Sequence, residues 1–246
     1  MINSIGSMKT KGVFITGSDT EIGKTTISAG LGNLLFQKGI KIGVMKPFAT
    51  GIKTYSKYFK SHDAKILKEA SNNKDNDDII NPYFYSVPTA PYLAKKLLKL
   101  NENINVGDIL NKYKEIEKRH EFTIVEGIGG LMVPLSKNFF VADLASIINV
   151  PVILIMSNKI GSINHIIMTY RLSITFKLKI KGIIINNNCK FSTFPFTLIN
   201  NKLQVIVEEL TGVKVLATIP YLENPTFTKI ANILEKCEII EKLESE

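Results

Sequence analysis

Short apolar runs alternate with longer amphipathic stretches along the whole chain. Six of the runs are apolar at nearly every position, namely GVFITG, KIGVMKP, FTIVEG, PVILIMS, KGIIINN and KVLATIP. Strands of this kind are typical of a parallel sheet whose two faces are both covered by helices. The stretches between them predict helices over Thr25 to Gln37, Asp63 to Ala70, Tyr92 to Leu100, Val106 to Arg119, Asn138 to Ile148, Ser162 to Phe176 and Asn200 to Leu210. The alternation predicts a doubly wound, mainly parallel α/β fold with right-handed crossovers.

The length of the chain bounds its domain organisation. A chain of 246 residues fits one α/β domain over residues 1–246, with residues 1–10 expected to be a flexible N-terminal extension and residues 228–246 a peripheral C-terminal segment with a frayed helix. The polar stretch KEASNNKDNDDIINP is too short for a linker, and it predicts a surface excursion.

Composition favours a globular cytoplasmic protein. Hydrophobic residues make up 45% of the chain, yet no run approaches the roughly 18 apolar residues of a membrane helix. No secretion signal is recognisable, and Cys189 and Cys237 are too far apart for a metal-ligand motif, which favours reduced thiols. The net charge of +9 comes from dispersed lysines, so a general lysine excess is favoured over a nucleic-acid surface.

The stretch FITGSDTEIGKTT carries the strongest chemical signal. It lies between a buried strand and a helix, where backbone N–H groups and the helix dipole can surround an anion. Gly23 permits close backbone approach, Lys24 can reach β/γ-phosphates, and the Thr25 hydroxyl suits magnesium. Five residues separate Gly17 from Gly23, one more than in the usual motif. The stretch predicts a phosphate-binding loop.

Two acids in this loop distinguish it from related loops. Partition and cell-division ATPases with a deviant loop have a second lysine five positions before the invariant one, and this chain has Asp19 there. Because a carboxylate cannot stabilise phosphoryl charge, that intersubunit lysine mechanism is not expected. Asp19 and Glu21 either hold the loop in shape or bind an amine-bearing group, and both interpretations stay open.

Further chemistry is expected at the carboxyl ends of the other strands, where ligands bind in open α/β sheets. Lys46, followed by Pro47, is a candidate phosphate cation. Asp63 opens a helix, either as an N-cap or as a ligand. Glu126 ends a buried strand, so its carboxylate needs a partner. A magnesium ion bound by Thr25, Asp63, Glu126 and phosphate oxygens would satisfy both acids.

The remaining strand ends add backbone donors but no catalytic histidine. Gly127, Gly129 and Gly130 allow backbone amides to approach a second anionic group. His165 lies in the first turn of a predicted helix, where a structural role is favoured over a catalytic base.

Taken together, the strand ends resemble those of the dethiobiotin synthetase family, over most of residues 12–225. The segments that carry the resemblance are TGSDTEIGKT, KPFATG, HDA, NPYFYSVPTAPY, VEGIGG, PLS, FVADLA, PVILIMSNKIGSINH and IPYLEN. The resemblance implies a P-loop fold and an ATP- and Mg²⁺-dependent carboxylation of 7,8-diaminononanoate with carbon dioxide. Dethiobiotin, ADP and phosphate would form through a carbamate and a carbamic-phosphoric anhydride. It also implies a homodimer with the active site near the interface.

The resemblance assigns roles to individual residues. It implies that Lys46 and Lys24 are catalytic and that Thr25, Asp63 and Glu126 bind the magnesium. The implied nucleotide contacts are Glu21, Ile22, Gly23, Lys24, Thr25, Thr26, Asp63, Glu126, Gly127, Gly129, Asn186, Asn187, Pro220, Tyr221 and Leu222. The last five of these residues would surround the adenine. The implied substrate contacts are Thr20, Thr50, Gly129, Gly130, Gly161, Ser162 and Asn164, the last three from the partner subunit.

The chain departs from the family pattern at a few positions. Ser18 replaces a threonine and Thr50 a serine, so both hydroxyls remain. Ile128 is bulkier than the usual alanine and is expected to narrow the pocket, and Asn187 stands where an acid is common.

Two other classes of protein use a related loop. A ParA- or MinD-like nucleotide-switched partition ATPase is disfavoured by Asp19 and by the unclustered charge. The cobyrinate and cobyrate amidating synthetases use a related loop but need an amidotransferase domain, for which no length remains after residue 225.

Overall fold

The computed structural model describes residues 8–51, 61–190 and 196–245 of the chain. The strands of this part are β1 (Gly12–Gly17), β2 (Ile42–Met45), β3 (Phe48–Thr50), β4 (Tyr83–Tyr85), β5 (Phe122–Glu126), β6 (Pro134–Ser136), β7 (Phe139–Phe140), β8 (Val152–Ser157), β9 (Ile180–Asn186) and β10 (Val215–Ile219). The helices are α1 (Lys24–Gln37), α2 (His62–Ala70), α3 (Asp77–Ile80), α4 (Pro91–Leu97), α5 (Val106–Arg119), α6 (Val141–Ile148), α7 (Ser162–Thr175), α8 (Phe196–Thr211), α9 (Phe227–Lys236) and α10 (Ile239–Glu244).

The central sheet contains the six strands that the apolar runs predict. Their order is β10-β9-β8-β1-β5-β2, and every neighbouring pair is parallel. β1 lies in the middle, with Phe14 in register with Val125 on one side and Val152 on the other. Two short pairs, β3 with β4 and β6 with β7, lie outside this sheet. All carboxyl ends of the six strands therefore meet at one rim.

Helices cover both faces of the sheet, as the continuous apolar runs predict. Side chains alternate along β1, so that Val13 and Ile15 pack into one core while Phe14 packs into the other. The first core also receives apolar residues of α1, α2, α9 and α10, and the second those of α5, α6, α7 and α8. This confirms the doubly wound α/β fold.

The prediction of a peripheral C-terminal segment is wrong. Leu234 of α9 and Ile239 and Leu243 of α10 are fully buried and belong to the core beside α1. The contact with α1 is close because Gly30 has no side chain: a Cβ there would lie 2.3 Å from Ile230 Cγ2. Sequence periodicity shows the apolar face of such a helix but not the surface that it covers.

The expected flexible extension lies only partly within the described residues. Residues 1–7 are outside them, so that part of the expectation stays a prediction. Residues 8–10 are not a flexible extension, because they are attached to the rest of the domain. Met8 is buried, and the N–H groups of Lys9 and Thr10 donate to the carboxylate of Glu244 at 2.7 and 3.3 Å.

The polar stretch KEASNNKDNDDIINP is only in part a surface excursion, because its exposed Asn72 and Lys74 alternate with buried residues. Asn73 and Asp75 are buried, and Ile80 is fully buried. The Asn73 Nδ2 atom donates to the carbonyl of Ile42 at 2.9 Å, so this segment covers the start of the edge strand β2. Local polarity misleads here because the buried polar groups satisfy one another and the strand.

The helix predicted from Asn138 begins three residues later, at Val141. Phe139–Phe140 instead pair with β6. The Asp143 carboxylate accepts the N–H of Phe140 at 2.8 Å, which defines the helix start. In the described part of the chain, every helix is too short or too polar to cross a bilayer.

Candidate functional site

One cavity of about 810 Å³ opens at the rim formed by the carboxyl ends of the strands. Many residues that the sequence singles out line it. The lining consists of Thr20, Glu21, Gly23, Lys24, Thr25, Thr26, Lys46, Thr50, Asp63, Pro88, Thr89, Ala90, Glu126, Ile128, Gly129 and Val133. Eleven of these sixteen residues are predicted site residues, and they come from loops far apart in the chain.

The phosphate-binding loop connects β1 to α1 and is anchored through Ile22. That side chain is 2% exposed and packs into the core, close to Gly17, where a Cβ would lie 2.4 Å from Ile22 Cδ1. Glu21 has a φ of 54° and Gly23 a φ of 90°, both left-handed. This conformation is ordinary for glycine but strained for glutamate, so the surrounding contacts must hold it.

Lys24 lies at the start of α1 and points back across the loop. Its Nζ atom donates to the carbonyl of Asp19 at 2.5 Å. Burial, together with the positive charge of Lys46, lowers the pKa of Lys24 to about 8, against the opposing effect of Glu126, Asp63 and Asp19. An ammonium group held this way interacts favourably with an anion in the cavity.

Lys46, Glu126, Asp63 and Thr25 meet at the floor of the cavity. The Lys46 Nζ atom lies 2.5 Å from Glu126 Oε1 and 3.2 Å from Asp63 Oδ2. It also donates to the carbonyl of Gly127 at 2.9 Å. The Thr25 hydroxyl donates to Glu126 Oε1 at 2.7 Å. The expectation that Glu126 needs a partner is met, since two groups from other strand ends bind its fully buried carboxylate.

The charges in this cluster stabilise one another. Burial alone would lower the pKa of Lys46, but the carboxylates of Glu126 and Asp63 outweigh it, so the pKa lies above its ordinary value. Partial burial would raise the pKa of Asp63, but the Lys46 ammonium outweighs that and holds it below its ordinary value. The ammonium and the carboxylate of Asp63 are therefore both charged at neutral pH.

The donor set suits a magnesium ion. Thr25, Asp63 and Glu126 provide a hydroxyl and two carboxylates, the hard oxygens that magnesium prefers alongside phosphate oxygens and water. Glu126 Oε2 is buried and has no hydrogen-bond partner among the described residues. Those residues contain no group of three or more His, Cys, Asp and Glu side chains with metal-binding geometry. The site therefore fits an ion that completes its coordination with phosphate and water.

The two loop acids occupy different environments. Glu21 lines the cavity. The Asp19 carboxylate instead accepts the N–H of Thr20 at 2.7 Å, and its second oxygen lies 3.8 Å from His165 Nδ1. The geometry supports loop stabilisation for Asp19, whereas Glu21 is the one of the two acids that lines the cavity.

Residues predicted to surround the adenine end or follow β9 and β10 at the same rim of the sheet. Asn186 Nδ2 donates to the carbonyl of Ile22 at 2.9 Å, and the Asn187 N–H donates to the carbonyl of Ile219 at 2.9 Å. Pro220 and Tyr221 are exposed and Leu222 is half-buried. The structure thus brings Asn186 against the phosphate-binding loop.

The predicted helix-start residues lie at the same rim. Gly161 has a φ of 89° and precedes α7, which begins at Ser162 directly after β8 and its loop. Gly127 and Gly130 follow β5, and Gly130 lies against the loop, since a Cβ there would be 3.3 Å from the Gly17 carbonyl.

Several lining residues are not among the predicted site residues. Pro88, Thr89 and Ala90 precede α4, and Val133 lies between β5 and β6. Pro88, Thr89 and Ala90 lie in NPYFYSVPTAPY, a segment that carries the family resemblance, but none of its side chains is charged in a way that points to an individual role.

Comparison with known proteins defines first the class and then the family. A family model described as an AAA domain matches residues 11–228. The fold resembles the MinD cell division protein of Aquifex aeolicus (TM-score 0.53, 16% identity, 95% of each chain). It also resembles a ParA family ATPase of Chlorobium tepidum TLS (TM-score 0.54, 16% identity, 96% of this chain and 100% of that one). The chain is thus a P-loop ATPase-type α/β protein.

Sequence similarity is more specific. The chain is 38% identical to the ATP-dependent dethiobiotin synthetase BioD of Nitrosopumilus maritimus over 226 residues, which are 92% of this chain and 96% of the relative. It is 34% identical to the protein of the same name from Bacillus subtilis, over 92% of this chain and 94% of the relative. The chain belongs to the dethiobiotin synthetase family, a family of ligases.

Proposed function

We propose that this chain catalyses the ATP- and Mg²⁺-dependent ring closure of 7,8-diaminononanoate with carbon dioxide, forming dethiobiotin, ADP and phosphate. The observation that carries the proposal is the convergence of the phosphate-binding loop, Lys46 and the buried Glu126 on one cavity. The relatives support the proposal, because the two that align over 92% of this chain are named ATP-dependent dethiobiotin synthetases.

The chemistry requires activation of a poor electrophile. One substrate amine adds to carbon dioxide and loses a proton, giving a carbamate. A carbamate oxygen attacks the γ-phosphorus of ATP, which forms a carbamic-phosphoric anhydride and releases ADP. The second amine attacks the carbamoyl carbon, expels phosphate and loses a proton, which closes the cyclic urea. Positioning and neutralisation of phosphoryl charge are the main catalytic effects that the protein must supply.

The lysines and the acids of the cavity floor have different roles in neutralising phosphoryl charge. Lys24 and Lys46 neutralise the charge that develops on the transferred phosphoryl group. Thr25, Asp63 and Glu126 would hold the magnesium, which supplies further charge neutralisation when bound. The N–H groups of Glu21 to Thr26, in the loop and the first turn of α1, bind the remaining phosphate oxygens.

Substrate recognition is assigned to the outer part of the cavity. Glu21 would attract a substrate amine in its cationic form, while Thr20 and Thr50 offer hydroxyls beside Gly129 and Gly130. The substrate carboxylate would bind the start of α7, at Gly161, Ser162 and Asn164, of a second copy of the chain, since a helix N-terminus favours an anion. Asn186, Asn187 and Pro220 to Leu222 would contact the adenine. This arrangement implies a homodimer.

The decisive experiment measures product and not only ATP turnover. The protein is incubated with MgATP, 7,8-diaminononanoate and ¹³C-bicarbonate, and ADP and the cyclic urea are measured together. We expect ADP release to depend on the diamine and the label to appear in a urea of the mass of dethiobiotin. ADP release without urea would refute the proposal.

A partition ATPase remains the second candidate because of the fold. The likeness to MinD and ParA, at 16% identity, concerns the fold alone. Asp19 stands where their mechanism needs a lysine. An ATP-dependent and salt-sensitive shift of DNA in a gel would revive this function.

A further inference from the structure

Two neighbouring carbonyl groups of the phosphate-binding loop are bound by asparagine side chains from the end of β9. Asn188 Nδ2 donates to the carbonyl of Glu21 at 3.0 Å, and Asn186 Nδ2 donates to the carbonyl of Ile22 at 2.9 Å. These contacts join segments more than 160 residues apart. They hold the part of the loop in which Glu21 has its left-handed φ of 54°.

The planarity of the peptide bond gives these contacts a consequence for anion binding. In a trans peptide the carbonyl of one residue and the N–H of the next point in opposite directions. Because the carbonyls of Glu21 and Ile22 point at β9, the N–H groups of Ile22 and Gly23 point away from it. Neither N–H has an acceptor among the residues that the structure describes. Glu21 and Gly23 both line the cavity, so these donors belong to its anion-binding edge.

The amide of Asn188 is itself held in one orientation. The N–H of Lys159 donates to Ser157 Oγ at 3.0 Å, so this oxygen accepts there and keeps its own proton to donate. Ser157 Oγ lies 2.7 Å from Asn188 Oδ1 and donates to it. The oxygen of the amide is therefore turned to Ser157 and its NH₂ group to the loop. Ser157 is 2% exposed at the end of β8, which makes the support rigid.

Close packing at Gly23 limits how far the loop can move from this support. A Cβ at Gly23 would lie 2.2 Å from Asn186 Nδ2. The loop backbone therefore lies directly against the Asn186 amide. The Asn186 amide thus contacts the Ile22–Gly23 peptide both through its hydrogen bond to the Ile22 carbonyl and through close packing at Gly23.

We infer that Asn188, oriented by Ser157 and assisted by Asn186, is a positioning residue that turns two loop peptides so that their N–H groups bind phosphate. The inference rests on the nucleotide-binding part of the proposed function and goes beyond it. It gives Asn188 a role where the sequence analysis assigned none, and it gives Asn186 a role in phosphate binding besides contact with adenine.

The test compares a ligand that has no base with one that does. Binding of magnesium tripolyphosphate and of MgADP is measured by calorimetry for the wild type, Asn188→Leu, Asn188→Asp and Ser157→Ala. Leucine keeps the size of the side chain without a donor, and aspartate keeps the acceptor for Ser157 without the donor. We expect both Asn188 variants to bind both ligands about 3- to 10-fold more weakly, the worth of one hydrogen bond, and Ser157→Ala to show a smaller loss in the same direction.

Asn186→Ala separates the two roles of that residue. Loss of an adenine contact alone would weaken MgADP and leave tripolyphosphate binding unchanged, whereas loop positioning weakens both. Asn111→Ala, at an exposed asparagine of α5, is the matched control and should bind like the wild type. Circular dichroism and melting temperature establish that each variant is folded.

The outcomes distinguish the inference from the proposed function. Wild-type protein that fails to bind either ligand would overturn both. Wild-type binding with unchanged affinity in Asn188→Leu and Ser157→Ala would overturn the inference alone. A loss confined to Asn188→Asp would show an effect of negative charge and would also overturn it.

Discussion

The ammonium nitrogen of Lys46 lies 2.5 Å from the Oε1 atom of Glu126, and both side chains are buried. Lys46 comes from the end of β2 and Glu126 from the end of the adjacent β5, so the pair joins neighbouring strands at the rim. The three protons of the ammonium group face Glu126, Asp63 and the carbonyl of Gly127. A phosphate that binds Lys46 must therefore replace at least one of these contacts.

Neutralising Lys46 should slow turnover more than it weakens nucleotide binding. We expect Lys46→Gln to lower kcat by about 100- to 1000-fold, as for loss of one group that stabilises transition-state charge, while the Kd for MgATP changes little. Steady-state kinetics and calorimetry give the two values. Lys114→Gln, at an exposed lysine of α5, is the control. Near-normal turnover in Lys46→Gln would remove Lys46 from the catalytic set.

The two loop acids should respond differently to neutralisation. Glu21 lines the cavity, so Glu21→Gln is expected to raise the KM for the diamine several-fold and to spare the Kd for MgATP. Asp19 binds the N–H of Thr20, a contact that an asparagine side chain can keep through its oxygen, so Asp19→Asn should change the diamine KM little. An equal rise in both variants would mean that Asp19 also acts on the substrate.

Proton uptake should accompany phosphate binding above neutral pH. The pKa of Lys24 is about 8 in the free protein, and a bound phosphate should raise it. The contribution of Lys24 to affinity is then complete below about pH 8 and is lost as the pH rises through the higher pKa of the bound state. Calorimetry with metal-free ADP in two buffers of different ionisation enthalpy measures the uptake at about pH 8.5 and, as a control, at about pH 6.5. In Lys24→Arg, which stays charged at both values, the uptake should disappear. Equal proton uptake at both pH values in the wild type would contradict the prediction.

Gly23 should be intolerant of a side chain for two reasons that can be separated. Its φ is 90° and a Cβ would contact Asn186, whereas Gly39 has a φ of 82° with no atom within 4 Å of the added Cβ. We expect Gly39→Ala to lose about 1 kcal/mol of stability through backbone strain alone, and Gly23→Ala to lose at least as much, because its Cβ would also displace the Asn186 amide. Only Gly23→Ala should also weaken MgADP binding, by about 3- to 10-fold through the disturbed Asn186 contact. Equal nucleotide affinity in both variants would show that the close approach is unimportant.

The two C-terminal helices, α9 and α10, should be necessary for stability. Leu234 of α9 is fully buried, so Leu234→Ala is expected to lower the free energy of unfolding by about 2–5 kcal/mol. Leu210 of α8 is 47% exposed, and Leu210→Ala should change the free energy of unfolding by no more than about 0.5 kcal/mol. Urea denaturation provides both values. A small effect at Leu234 would restore the interpretation of a peripheral segment.

Much of the fold follows from local pattern. The six apolar runs became the six strands of the central sheet, and the helix predicted from Val106 to Arg119 has those bounds in the structure. These elements depend on residues only a few positions apart in the chain, and the periodicity of apolar residues predicts them over such short distances. The pattern was less useful at residues 139–140, where pairing with β6 competes with helix formation, and at Asn73 and Asp75, whose polar side chains satisfy one another in a buried segment.

The chemistry of the site was also predictable in kind but not in arrangement. The motif identifies Lys24 and Thr25, and the cost of a buried carboxylate identifies Glu126 as a residue in need of a partner. No local signal states that this partner is Lys46, or that Glu21 faces the cavity while Asp19 turns to Thr20. Asn188 had no signal at all, because its role depends on a carbonyl 167 positions away.

By itself, the amino-acid sequence determined the layered α/β architecture and the presence of a phosphate-binding loop, since alternating periodicities and a contiguous motif encode both. Only the tertiary structure decided which polar groups meet at the rim, which loop peptides are turned by β9, and that the last two helices complete a core. The physical reason is that hydrogen bonds, ion pairs and close packing depend on distances in space. Between Lys46 and Glu126, or Asn186 and Ile22, those distances are created by the folding of the whole sheet.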